Sequence, residues 1–116
     1  MLRSLLKSKI HKAKVTGTNI DYVGSITIDK KLMDACGLMV HEKVLVSDIT
    51  NGSRFETYVI EGQEGVIEVN GAAVKLVKSG DRIIVMAFGL YDEKEAKTQK
   101  PKIIVVDERN RILEGC

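Results

Sequence analysis

The sequence has no tryptophan, and aromatic residues make up only 4% of a chain that is 44% hydrophobic. A core must therefore be assembled from valine, isoleucine, leucine and methionine, a composition that favours strands with β-branched side chains. Cysteine is scarce too: Cys36 and Cys116 are the whole complement, and neither stands in a CxxC or Cys/His ligand spacing. That excludes a disulfide framework and a cysteine-based metal site, and it implies a reduced, cytoplasmic setting. No apolar run approaches the length needed to cross a bilayer. The start of the chain offers only Leu5-Leu6 beside its basic residues, without the apolar stretch and small-residue cleavage site of a signal peptide. No membrane partner is expected. Acid is absent from residues 1 to 14, which carry Arg3, Lys7, Lys9, Lys12 and Lys14, while the remainder is net acidic and the whole has a formal charge of +2.

With 116 residues and no internal repeat, low-complexity tract or composition break, the chain reads as a single domain. A domain this small hides only about two-thirds of its unfolded surface, so a shared subunit interface would help to stabilise it. Short apolar runs recur between turn signals, the pattern of a mainly β barrel or sandwich. Strands are expected at Ile10–Val15, Ser25–Ile28, Lys43–Ser47, Arg54–Ile60, Val66–Val69, Arg82–Phe88 and Lys102–Val106. Asn51-Gly52 suits a type I′ hairpin turn. Asp29 can cap a short helix running to Cys36, with Gly37 as its left-handed stop. Ala72–Lys78 and a segment capped by Asp92 read as two further short helices.

Strand alternation places some of the reactive side chains. Lys9 and His11 share a face, as do Arg54 and Tyr58, whereas Thr57 points the other way. Taken singly, each has an ordinary explanation. Lys9, His11 and Arg54 are solvated strand residues, and Tyr58 packs its ring while its hydroxyl reaches water. Asn70-Gly71 is a turn that opens a helix. Gly24-Ser25 is a strand entry, with glycine supplying an unusual backbone angle, and Cys36 is a buried, inert thiol.

Jointly the residues say more. Lys9 and His11, then Tyr22-Val23-Gly24-Ser25, then Thr50-Asn51-Gly52-Ser53-Arg54-Phe55-Glu56-Thr57-Tyr58, then Val69-Asn70-Gly71-Ala72-Ala73 occur in an order and spacing that resembles the pyruvoyl-dependent aspartate decarboxylase family over nearly the whole chain. The resemblance implies a six-stranded double-psi β-barrel with a few short helices. It further implies a homotetramer with active sites between subunits, and conversion of L-aspartate to β-alanine and carbon dioxide for pantothenate and coenzyme A. It also implies autocatalytic cleavage between Gly24 and Ser25 into a 1–24 β-chain and a 25–116 α-chain, slow and either unassisted or helped by a maturation factor. Ser25 would become a covalent pyruvoyl group that forms a Schiff base with the substrate, without pyridoxal phosphate or a metal. Such an electron sink is what decarboxylation of an amino acid demands. By the same resemblance Tyr58 is the proton donor, and Lys9, Arg54, Thr57, Gly71, Ala72 and Ala73 bind substrate. His11, Tyr22 and Asn70 line the site.

The competing reading is a small β-rich regulator that binds DNA through the basic first fourteen residues, with the strong salt dependence of phosphate contacts. Such a protein would stay uncut and has no use for Gly24-Ser25 or Thr57-Tyr58.

Overall fold

Alternating buried isoleucines and valines dictate most of the architecture. In the computed structural model, which describes residues 1–115, nine strands form one continuous sheet. They are β1 (Arg3–Lys14), β2 (Gly17–Asn19), β3 (Ser25–Asp29), β4 (Lys43–Asp48), β5 (Arg54–Gly62), β6 (Ile67–Asn70), β7 (Arg82–Tyr91), β8 (Lys102–Val106) and β9 (Ile112–Gly115). Two short helices, α1 (Lys30–Cys36) and α2 (Glu93–Thr98), and a 3-10 turn over Gly71–Lys75 complete the chain. The mainly β class with few short helices is thus the observed one, although the strands number nine rather than six. Relative to the seven strands expected from alternation, the additions are the edge strands β2 and β9; neither carries enough apolar alternation to stand out in sequence. Cys116 lies outside the described residues.

The strand order is β2-β6-β3-β5-β4-β7-β1-β8-β9, with parallel pairing at β1–β8, β2–β6 and β3–β5. Strand β5 changes partner halfway. Its first part, Arg54 to Tyr58, pairs with β4, and its second, Val59 to Gly62, pairs with β3. Strand β1 starts earlier than alternation alone suggests, because Lys7 and Lys9 interrupt a buried series of Ser8, Ile10 and Ala13. A bulge between Ile10 and Ala13, with Lys12 at φ 67°, resets its register on β7.

The interior holds Ile10, Ile26, Ile28, Val44, Val46, Val59, Ile67, Val69, Ile83 and Val85. Truncating one such isoleucine to alanine costs about 2 to 5 kcal/mol. Helix α1 is as expected: the Asp29 carboxylate accepts from Lys31 N, and Gly37 ends it at φ 77°. Helix α2 carries a capping box between Asp92 and Glu95. The expected helix Ala72–Lys78 is instead the 3-10 turn, which begins one residue earlier at Gly71. At the Asn51-Gly52 hairpin only Gly52 has a positive φ, so the turn is not type I′. Asp48 organises it by accepting from Thr50 N at 2.7 Å and Asn51 N at 3.3 Å.

Candidate active site

Strand β3 begins at Ser25, and its antiparallel neighbour β6 ends at Asn70 directly opposite. Both residues are 1% exposed. Ser25 Oγ donates to the Val23 carbonyl at 2.9 Å and accepts from Asn70 Nδ2 at 3.0 Å. The same amide nitrogen donates to Thr27 Oγ1 at 3.1 Å. Asn70 Oδ1 is buried without a hydrogen-bond partner, an arrangement that ordinary packing avoids. The serine hydroxyl is therefore fixed from both sides, next to the Gly24 carbonyl, with an unused acceptor close by.

The preceding segment differs in character. Tyr22 and Val23 are more than half exposed, and Gly24 is exposed as well. Gly24 does not take a positive φ, contrary to the unusual backbone angle expected there. The left-handed glycine is Gly71, at φ 77°, packed against the backbone of Tyr22 and Gly24.

Tyr58 approaches the same corner through strand pairing. Ile26 of β3 pairs with Val59 of β5, so Ser25 and Tyr58 each precede that pair by one residue. The Tyr58 ring meets His41 edge-on, with centroids 5.9 Å apart and planes at 63°. Thr57 and Tyr58 are both half-buried and are the last two residues of β5 paired with β4, just before the strand changes partner at Val59.

The structure thus brings Tyr22, Gly24, Ser25, Asn70 and Gly71 into contact and sets Tyr58 beside them. Lys9, His11 and Arg54 lie elsewhere in the sheet. Lys9 pairs with Met86 of β7 and Arg54 with Ser47 of β4; β1 is separated from β3 by β7, β4 and β5. Among the described residues no ion pair engages Lys9 or Arg54, so both cations are free for a ligand. His11 has a buried Nδ1 without a partner. Burial, then the charges of Lys9 and Lys12, lower its pKa and favour the neutral ring. Ala72 is exposed, while Ala73 packs against the core. Sequence reasoning missed Thr27; its place two residues after Ser25, on the same face of β3, was the available signal. Among the described residues no group of three or more His, Cys, Asp or Glu side chains is placed to hold a metal, and no helix is long and apolar enough to cross a membrane.

Residues 1–113 match the family model described as aspartate decarboxylase. The chain belongs to the aspartate decarboxylase family. It is 56% identical to the aspartate 1-decarboxylase of Acetivibrio thermocellus over 115 residues, covering 97% of this chain and 91% of that protein. The aspartate 1-decarboxylase of Campylobacter jejuni strain RM1221 is 55% identical over 108 residues, covering 92% of this chain and 86% of the relative. That of Bacillus licheniformis is 49% identical over 116 residues, covering 98% and 91%. Among solved structures, the computationally designed msDPBB_sym2 protein aligns with a TM-score of 0.48 at 18% identity, covering 73% of this chain and 99% of the design.

Membership in the aspartate decarboxylase family does not favour the DNA-binding alternative. The basic segment offers a physical reason to set it aside. Arg3 pairs with Glu93 at 3.7 Å and Lys7 with Glu42 at 3.0 Å, so part of its charge is already neutralised within the fold.

Proposed function

We propose that the chain is an aspartate 1-decarboxylase that makes β-alanine for pantothenate and coenzyme A, after cutting itself between Gly24 and Ser25. The observation that carries this reading is the Ser25 hydroxyl, buried and held between Val23 O and Asn70 Nδ2 at the start of β3, in a chain of this family.

In the cut, Ser25 Oγ attacks the Gly24 carbonyl carbon. The Gly24 C–Ser25 N bond breaks as the ester to Oγ forms, and the hydroxyl proton passes to the departing nitrogen. Loss of the Ser25 α-proton then breaks the Cβ–Oγ bond, which releases Gly24 as a carboxylate and leaves dehydroalanine at position 25. Water adds and ammonia leaves, so the longer fragment begins with a pyruvoyl group. Thr57 is the donor toward the oxygen that gains charge during attack; a donor so placed contributes about 3 kcal/mol or more.

The surroundings of Ser25 fit the group derived from it. The position is buried, and Asn70 Nδ2, which donates to Ser25 Oγ, would hold an oxygen of the product. The pyruvoyl group supplies a conjugated carbonyl that accepts the electrons left on the substrate α-carbon. Lys9 and Arg54 are suited to the two aspartate carboxylates, Arg54 with a bidentate fork and Lys9 as a point charge. Tyr58 returns the proton to the α-carbon once carbon dioxide has left.

We further propose a cytoplasmic homotetramer in which neighbouring chains complete each site. The separation of Lys9 from Ser25 along one chain's sheet supports this, as do the exposed Tyr22, Val23, Met39, Val40, Phe88 and Leu90, which burial between copies would shield. The deciding experiment is the intact mass of the purified chain under denaturing conditions. Two fragments are expected, one ending at Gly24 and the other lighter by one ammonia than a serine-started 25–116 peptide. A single uncut mass that persists on warming overturns unassisted self-cleavage.

A further inference from the structure

Among the described residues five glycines hold a positive φ: Gly37, Gly52 and Gly71 at 77°, Gly65 at 80° and Gly80 at 94°. Gly71 differs from the others in what fills the place of its missing side chain. A Cβ there would stand 2.6 Å from Gly24 Cα, 3.0 Å from Gly24 N and 3.4 Å from the Tyr22 carbonyl oxygen. All three are backbone atoms of the segment to be cut, so no rotamer change could relieve the overlap. At Gly52 and Gly80 the corresponding space is empty. The relation also runs one way, since a Cβ on Gly24 would meet nothing within 4 Å.

We propose that Gly71 is a positioning residue for self-cleavage: the notch left by its absent side chain seats the Tyr22–Gly24 backbone and so sets where the Gly24 carbonyl stands relative to Ser25 Oγ. The inference rests on the self-cleavage proposed above. Its force comes from adjacency. Asn70 fixes the nucleophile through its bond to Ser25 Oγ at 3.0 Å, and the next residue fixes the segment bearing the electrophile. One corner, where β6 turns into the 3-10 segment, therefore holds both reacting groups. A side chain at position 71 would have to push the Gly24 backbone away by about 1 Å to restore ordinary contact, and a misplacement of that size costs about 100-fold in rate.

Three variants separate this role from backbone strain. Gly71→Ala adds both the Cβ and the left-handed penalty. Gly71→Asn adds the Cβ but keeps a residue that tolerates the left-handed angle. Gly52→Ala adds the same φ penalty where there is nothing to touch. Cutting is followed by intact mass in freshly purified chains, each checked for folding by circular dichroism. The wild type and Gly52→Ala should cut at similar rates, and Gly71→Ala and Gly71→Asn about 100-fold more slowly. Wild-type cutting by Gly71→Asn would reduce the role of Gly71 to its φ and overturn the proposal. Equal slowing by Gly52→Ala and Gly71→Ala would overturn it as general destabilisation. A wild-type chain that stays whole would overturn unassisted self-cleavage, and this proposal, which rests on it, with it.

Discussion

Strand β3 is five residues long and carries a buried polar side chain at each end, Ser25 and Asp29. At the Asp29 end both carboxylate oxygens and the backbone amide are matched. One carboxylate oxygen accepts from Lys31 N at 2.8 Å, the other from Gly65 N at 2.8 Å, and the backbone amide donates to Val66 O at 2.9 Å. At the Ser25 end the hydroxyl is held, but Asn70 Oδ1 is buried without a donor, and the neighbouring Tyr22–Gly24 segment is exposed. The difference separates two uses of a buried polar group. A matched one closes a helix cap and a loop onto the sheet. One with an acceptor left over, beside an accessible peptide bond, is available for chemistry.

The sharpest test of that contrast is Ser25→Ala. Cutting should be lost completely, leaving a single 12.8 kDa chain by intact mass, while stability falls by about 1 to 3 kcal/mol, the worth of the two hydrogen bonds that the hydroxyl makes. A processed Ser25→Ala chain would break the comparison at its root. Next come the two β5 neighbours, which the contrast assigns to different stages. Thr57→Val should leave the fold intact and block cutting, and efficient processing would remove Thr57 from maturation. Tyr58→Phe should cut normally yet lose about 100-fold or more in kcat with aspartate; retained turnover would remove Tyr58 as the proton donor. Asp29→Ala probes the opposite end of β3. It removes the α1 cap and leaves the half-buried Gly65 N–H without its carboxylate acceptor, a loss of about 2 to 4 kcal/mol in urea unfolding. The folded fraction should still cut at the wild-type rate, and slower cutting would mean that the two ends are not independent.

The Asp29 end was more legible in sequence than the Ser25 end. Asp29, the apolar Leu32, Met33 and Cys36, and Gly37 form a local signal, complete within nine residues, and helix α1 follows it closely. The site needed long-range pairing. Nothing local says that Ser25 lies opposite Asn70, or that Tyr58 stands one residue before the pair Ile26 and Val59. Those residues were named because of a family pattern, and the fold then supplied the reason they belong together. Lys9 and Arg54 show the remaining gap: the pattern names them, but pairing within one chain leaves them away from Ser25. The backbone was misread where a single glycine decides the geometry. Gly24, chosen for its freedom, has no left-handed angle, while Gly71, read as a plain turn residue, holds φ at 77° against it.

The smallest effect expected also belongs to the structural end of β3. Helix α1 buries Cys36, and burial is the first cause that pushes its thiol pKa from 9.0 up to about 11, against small opposing contributions from backbone hydrogen bonds and Lys7. In the unfolded chain the thiol ionises near its ordinary value, so between about pH 9 and pH 11 the folded state holds a proton that the unfolded state has released. Stability from this group is therefore present in full below pH 9 and lost as pH rises toward 11, by at most about 3 kcal/mol. The quantity to measure is the difference between wild type and Cys36→Ala, which isolates this one thiol. The variant starts lower because a core atom is missing, and its stability should fall less steeply with pH. Parallel pH profiles would show that Cys36 is not buried as a neutral thiol, and the matched end of β3 would then have a leak of its own.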